Sequence, residues 1–298
     1  MITFFTIPKP FEGHIGVIQR NALRSWRKLH PQCEIIIFGD EQGISEVAKE
    51  VGAIHIPEIR KNEFGTPFLD GIFAQVQEMA KNDIVCYSNA DIIFLDDFPA
   101  GISKIDDDRY LLVGQRWDLD LTTEVEFSGD YEQELRKRTA ESGKLHDEDG
   151  MDYFVFRKGS LNALPAFLVG RAGWDNWMIF NARVKDIKVI DGTKGYLVIH
   201  QNHNYGHVKK SVGRWLGPES DYNMALLGGV DHRFTLYDAT YRFNGTKVVR
   251  NLSAISFYRR LKSLSILKPD AGRVLHPLGR VIGPVEGLLL EMWRKREV

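Results

Sequence analysis

Over residues 2–95 the chain alternates short apolar runs with longer segments whose apolar residues recur every three or four positions. The runs are ITFFTI (2–7), EIIIF (34–38), AIHI (53–56) and IVCY (84–87). Between them lie the stripes Ile18/Ala22/Trp26/Leu29, Ile44/Val47/Ala48/Val51 and Ile72/Phe73/Val76/Met79. Continuous apolar runs read as strands buried on both faces, and the stripes read as helices that cover them. Pro8 and Pro10 end the first run, and Pro31 stops the first helix. Strand and helix in alternation predict an α/β fold, a mostly parallel Rossmann-like sheet flanked by helices.

Ligands of such sheets bind beyond the carboxyl ends of the strands. There, in CYSNADIIFLDDF (86–98), the polar step Ser88-Asn89-Ala90-Asp91 separates two runs of buried type. A carboxylate at such a place is costly to bury unless a charged partner compensates it. Asp40 ends the second run, on the same rim. Neither G-x-G-x-x-G nor G-x-x-x-x-G-K-[ST] occurs, which argues against a dinucleotide-dependent dehydrogenase and a P-loop NTPase. The second half is less regular: RYLLVGQRWDLDL reads as a strand running into a polar loop, MDYFVFRKG as a strand, and YLVIHQNHNYGH as a strand ending in a histidine-rich loop.

The 298 residues carry a net charge of −1, which argues against a dedicated nucleic-acid binder. The N-terminus lacks signal-peptide character, and no apolar run reaches the roughly 20 residues of a membrane span. Cys33 and Cys86 lie in or beside strands without metal-type spacing, so a cytoplasmic chain with reduced thiols is expected. Residues 1–250 are expected to form the main α/β domain and 251–298 a basic helical extension, broken by Pro269, Pro277 and Pro284. Such an extension either packs on the domain or lies on an anionic membrane surface, giving peripheral membrane association.

NADIIFLDDF, GQRWDLDL, GMDYFVFRKG, VGRAGWDNWM and IHQNHNYGH, in this order over residues 1–245, resemble nucleotide-sugar glycosyltransferases of GT-A type, in particular a poorly characterised group of bacterial and plant glycosyltransferase-like proteins. The resemblance implies a GT-A-like fold, a nucleotide-sugar donor, a divalent cation (Mn²⁺ or Mg²⁺) and a glycan or lipid-linked acceptor in polysaccharide synthesis. Asn89-Ala90-Asp91 would be a degenerate Asp-x-Asp motif. Asp91 would hold the cation, with His200 and His203 as further ligands; His207 lies in the same loop. A divalent ion between carboxylate and diphosphate acts as a Lewis acid on the leaving group. The alternative for Asp91 is a turn-capping role and an arginine partner. For the histidines, the alternative is packing against Tyr205 or bonding to phosphate.

The resemblance further makes Asp175 the candidate base of an inverting transfer, with Trp174 and Trp177 beside it offering a face to a sugar ring. The alternative is a helix cap with two core tryptophans. Asp152 is the second candidate acid. For the donor, Thr6 and Pro8 would contact the base, Arg20 would reach the diphosphate, and Asp40 would accept from a base N–H. Thr66 and Asp70 would open an anion-binding helix, or else serve as turn and cap residues. Asn89 would bind ribose, phosphate or metal, and Arg116 and Trp117 would line the acceptor side. Two other readings stand beside this one. A sugar nucleotidyltransferase would need a Gly-rich loop where IPKPFEGHIG stands; a catalytically silent glycan-binding protein would have lost its metal with Asn89.

Overall fold

The computed structural model describes residues 1–161, 163–203 and 217–268. The first half runs β1 (Ile2–Thr6), α1 (Gly13–Leu29), β2 (Glu34–Phe38), α2 (Ile44–Val51), β3 (Ile54–Ile56), α3 (Leu69–Met79) and β4 (Ile84–Ser88). Then follow β5 (Ile92–Phe94), α4 (Asp97–Ile102), β6 (Tyr110–Val113), β7 (Trp117–Leu119), α5 (Tyr131–Ser142), β8 (Lys144–Leu145) and β9 (Tyr153–Arg157). The chain continues through α6 (Trp174–Val184), β10 (Lys188–Asp191), β11 (Val198–Gln201), α7 (Pro218–Leu227), β12 (Tyr241–Phe243), β13 (Val248–Arg250) and α8 (Ala254–Leu267).

Nine strands form the main sheet in the order β13-β12-β10-β6-β9-β4-β1-β2-β3. β9 runs against both of its neighbours and β13 runs against β12; the other pairs are parallel. The expected α/β layout is therefore present. Successive residues of each central strand face opposite layers, the two-residue period of a pleated strand. Phe4, Ile35, Cys86 and Val155 join Trp26, Phe94 and Phe98 on one face. Phe5, Ile36, Tyr87 and Phe154 join Phe73, Phe156 and Trp174 on the other.

A second, four-stranded sheet is ordered β5-β11-β7-β8. The sequence did not announce it. RYLLVGQRWDLDL is not a strand and a polar loop but two strands, β6 in the main sheet and β7 in the small one. β7 survives its polar sequence because Trp117 pairs with Ile199 and Leu145, while Leu119 packs on Ile93, Leu121, Leu135 and Ile199. Trp174 and Trp177 belong to the core: Trp174 meets Tyr87 edge-on at 5.0 Å, and Trp177 packs on Phe167. Trp174 is buried and Trp177 partly so.

Of the C-terminal extension, α8 is described, and it lies on the domain. Ser253 caps it, Ile255 and Tyr258 are buried, and Arg259 pairs with the buried Asp238 at 2.6 Å. Residues 269–298 lie outside the described residues. No described helix is long and apolar enough to cross a membrane. Both cysteines are buried and free, and burial pushes both thiols up.

Candidate active site

The chain leaves the main sheet at Ser88 and enters the small sheet at Ile92, so the Asn89-Ala90-Asp91 turn sits where the two sheets meet. Antiparallel pairing of β11 with β5 sets His200 opposite Ile92, one residue from Asp91. The next residue, Gln201, is fully buried and donates to the Asp91 carbonyl from both its backbone N (3.1 Å) and Nε2 (3.2 Å). Gln201 is in turn held by the Ile18 carbonyl and the Asn21 amide of α1. A buried polar network that is fully paired makes a rigid support. It fixes the Asp91 backbone against the end of β11.

One ligand atom each from Asp91, His200 and His203 lies within 4.8 Å of the others. Asp91 Oδ2 is 3.2 Å from His203 Nε2 and 3.7 Å from His200 Nε2. Both imidazoles are almost wholly buried, with 6% and 3% of their side chains exposed. Burial alone would raise the Asp91 carboxyl; the charges of His200 and His203, with Lys9 beyond them, outweigh it and hold the group well below the usual carboxylate range. Among the described residues its ion-pair partners are these histidines, not an arginine. The buried Asp91 Oδ1 has no hydrogen-bond partner among the described residues. A buried carboxylate oxygen without a donor, facing two imidazoles, fits a divalent cation. His207 and Tyr205 lie outside the described residues.

Around this trio runs a ring of charged groups, of which Asp118 and His146 were not among the expected site residues. His200 Nδ1 lies 3.0 Å from Asp118 Oδ1, and His146 Nδ1 lies 2.8 Å from Asp118 Oδ2. Arg116, 5% exposed, spans Asp118 (3.7 Å) and Asp152 (2.5 Å). Asp152 also accepts from Asn89 Nδ2 at 2.5 Å, and Asn89 Oδ1 accepts from the Tyr87 hydroxyl at 3.3 Å. Asn89 and Asp152 thus bond to each other, and the second Asp152 oxygen faces Arg116. Burial would raise the Asp118 carboxyl, but the bonds from His146 and His200 and the Arg116 charge bring it well below its ordinary value. Burial would lower the His200 imidazole; the Asp91 charge and Asp118 raise it. Asp118 and His146 come from a strand of three residues and from the loop after one of two, so no periodicity revealed them.

Asp175 opens α6 behind the left-handed Gly173 (φ 101°). Its Oδ1 accepts from Asn176 N at 2.8 Å. Burial pushes its carboxyl up to about 6, and the charge of Asp152 adds to the rise. The remaining expected residues divide. Thr6 and Pro8 are buried at the end of β1, and Thr6 Oγ1 has no partner among the described residues. Trp117, half-buried, shares β7 with Asp118. Arg20 is turned to Glu50 (3.9 Å) and the Phe11 ring. The exposed Asp40 pairs with Lys61 at 2.5 Å, which holds its carboxyl low. Asp70 pairs with Arg60 at 2.6 Å. Thr66 closes a turn on the Asn62 side chain, three residues before α3 begins. None of these four has a contact in the Asp91 ring.

No protein-family model matches the chain, and no curated protein is similar to it at a significant level. Several solved structures are. One is a mycobacterial protein, 13% identical over 76% of this chain and 73% of its own, with a TM-score of 0.45. Another is glucosyl-3-phosphoglycerate synthase from Mycobacterium tuberculosis with Mn²⁺, UDP and phosphoglyceric acid, 14% identical over 76% and 77%, with a TM-score of 0.43. A third is a mannosyltransferase from Pyrobaculum calidifontis with GDP-mannose and Mn²⁺, 11% identical over 68% and 58%, with a TM-score of 0.41. Likeness at this level assigns no role to any residue here; those roles rest on the geometry above.

Proposed function

We propose that the chain is a metal-assisted glycosyltransferase that moves a sugar from a nucleoside diphosphate to a hydroxyl of a glycan or lipid-linked acceptor. The observation that carries this reading is the Asp91–His200–His203 trio at the meeting of the two sheets, with a buried Asp91 oxygen that lacks a donor among the described residues. Asp91, His200 and His203 would hold Mn²⁺ or Mg²⁺, the mixed N/O set favouring Mn²⁺. When bound, the ion supplies charge to the departing diphosphate.

The chain's own residues supply the rest. Asp175 accepts the proton of the acceptor hydroxyl at Oδ2, the oxygen not taken by Asn176 N. With a pKa near 6 it is ionised at neutral pH and more basic than an ordinary aspartate, which suits a general base. A base on the acceptor side supports inversion at the sugar carbon: the bond to the acceptor oxygen forms as the bond to the phosphate oxygen breaks. Arg116, locked between Asp118 and Asp152, keeps the two acids from repelling each other.

Thermal shift with Mn²⁺ and UDP-, GDP- or TDP-sugars tests the reading. One donor class should raise the melting temperature only when Mn²⁺ is present, and Asp91→Asn should abolish that dependence while the variant stays folded. Stabilisation by a glycan and by no nucleotide would replace the reading with that of a glycan-binding protein.

A further inference from the structure

His200 has a carboxylate facing each edge of its ring. Nε2 looks toward Asp91 Oδ2 (3.7 Å) and Nδ1 toward Asp118 Oδ1 (3.0 Å). Asp118 is itself pinned, since its other oxygen meets His146 Nδ1 at 2.8 Å and Arg116 stands 3.7 Å from Oδ1. We infer that Asp118 is a positioning residue that presets His200 as a metal ligand, with His146 and Arg116 holding Asp118 in place. The inference rests on the metal-site reading given under Proposed function.

The chemistry is that of a two-nitrogen ring. A neutral imidazole carries one proton, and the nitrogen without it presents the lone pair a metal needs. An anion beside Nδ1 draws the proton there and turns the Nε2 lone pair toward Asp91. Carboxylates placed behind ligating imidazoles fix both tautomer and ring orientation and make the ligand more basic. Asp118 meets the opposite edge of the ring from Asp91 and is engaged by His146, so it serves the site from behind. The spacing is economical: Trp117 pairs with Ile199 and Asp118 with His200 in parallel register, so the same strand pairing that builds the small sheet delivers the acid to the ring. Ser, Thr or Leu at position 118 would keep that pairing and lose the anion.

Two measurements on the full chain test this. Mn²⁺ titration by calorimetry should show about 10- to 100-fold weaker binding in Asp118→Ala, with a smaller loss in Asp118→Asn, which keeps an acceptor. Nitrogen-15 NMR of the metal-free protein, at a pH where the ring is neutral, should place the His200 proton on Nδ1 in the wild type and on a mixture of nitrogens in Asp118→Ala. A purely structural role would lower the melting temperature of the variants without moving either readout. Mn²⁺ affinity within twofold of wild type in a folded Asp118 variant overturns the inference, as does an Nε2 proton in the wild type. Absence of Mn²⁺ binding by the wild type is a different result, which overturns the metal-site reading itself.

Discussion

At the scale of single residues, Asp175 has a chemical use only because its environment is unfavourable to its charge. Its folded pKa, about 6, stands above the ordinary 3.8, so the folded state keeps a proton that the unfolded state releases between about pH 4 and pH 6. Stability must fall across that window as pH rises and then level off. Asp175→Asn removes the fall. The variant should match the wild type near pH 4 and exceed it at pH 7, by about 3 kcal/mol. Turnover should drop about 10²- to 10⁴-fold while Mn²⁺ affinity holds. Denaturant titrations at both pH values, beside initial rates, check this. Asp91 and His200 stood out in the sequence because each interrupts or ends an apolar run, and His203 because three histidines fall within eight residues. Asp118 and His146 did not, because a carboxylate and an imidazole in a charged stretch look like any solvated pair until the sheet brings them to His200. Asn89 was legible as a polar insertion, but its engagement with Asp152 was not; those residues are 63 positions apart.

At the scale of elements, the decisive unit is the β7–β8 pair and the loop that follows. In the regular first half, period alone marks the strands and helices. The short strands β7, β8, β10, β12 and β13 have two to four residues each, too few to display one. Pairing, not pattern, makes them strands. In this loop Gly150 packs where no side chain fits: a Cβ there would lie 2.1 Å from His146 Cδ2, 2.4 Å from Nε2 and 2.9 Å from Arg116 Nη1. Gly150→Ala must therefore displace His146, the more exposed and less restrained of the two, from Asp118. Overpacking of this kind costs about 1–3 kcal/mol. The variant should weaken Mn²⁺ binding in the same direction as Asp118→Ala but by less, since Asp118 itself remains. Unchanged affinity, with His146 still on Asp118 in a crystal structure, would show that the loop backbone yields instead.

At the scale of the whole molecule, the chain separates the groups that hold it together from the groups that would react. Asp238 is buried and bonded through both carboxylate oxygens to Arg259 of α8, at 2.6 and 3.0 Å. Its backbone carbonyl accepts from Arg183 near the end of α6, which starts beside Asp175. Eight helical steps lead from Asp175 to Arg183, about 12 Å at 1.5 Å per residue. α8 thus braces the far end of the helix that carries the proposed base. Removing one partner of a buried ion pair leaves the other charge uncompensated, at a cost of about 3–5 kcal/mol. Arg259→Ala should therefore lower the unfolding free energy by roughly 3 kcal/mol, while leaving Mn²⁺ affinity within twofold, because none of the trio's described contacts passes through α8. Urea unfolding and Mn²⁺ titration on the same preparation decide the matter. A loss of metal affinity equal to that of Asp118→Ala would mean that the brace reaches the site through α6, and that stability and site geometry are not separable in this fold.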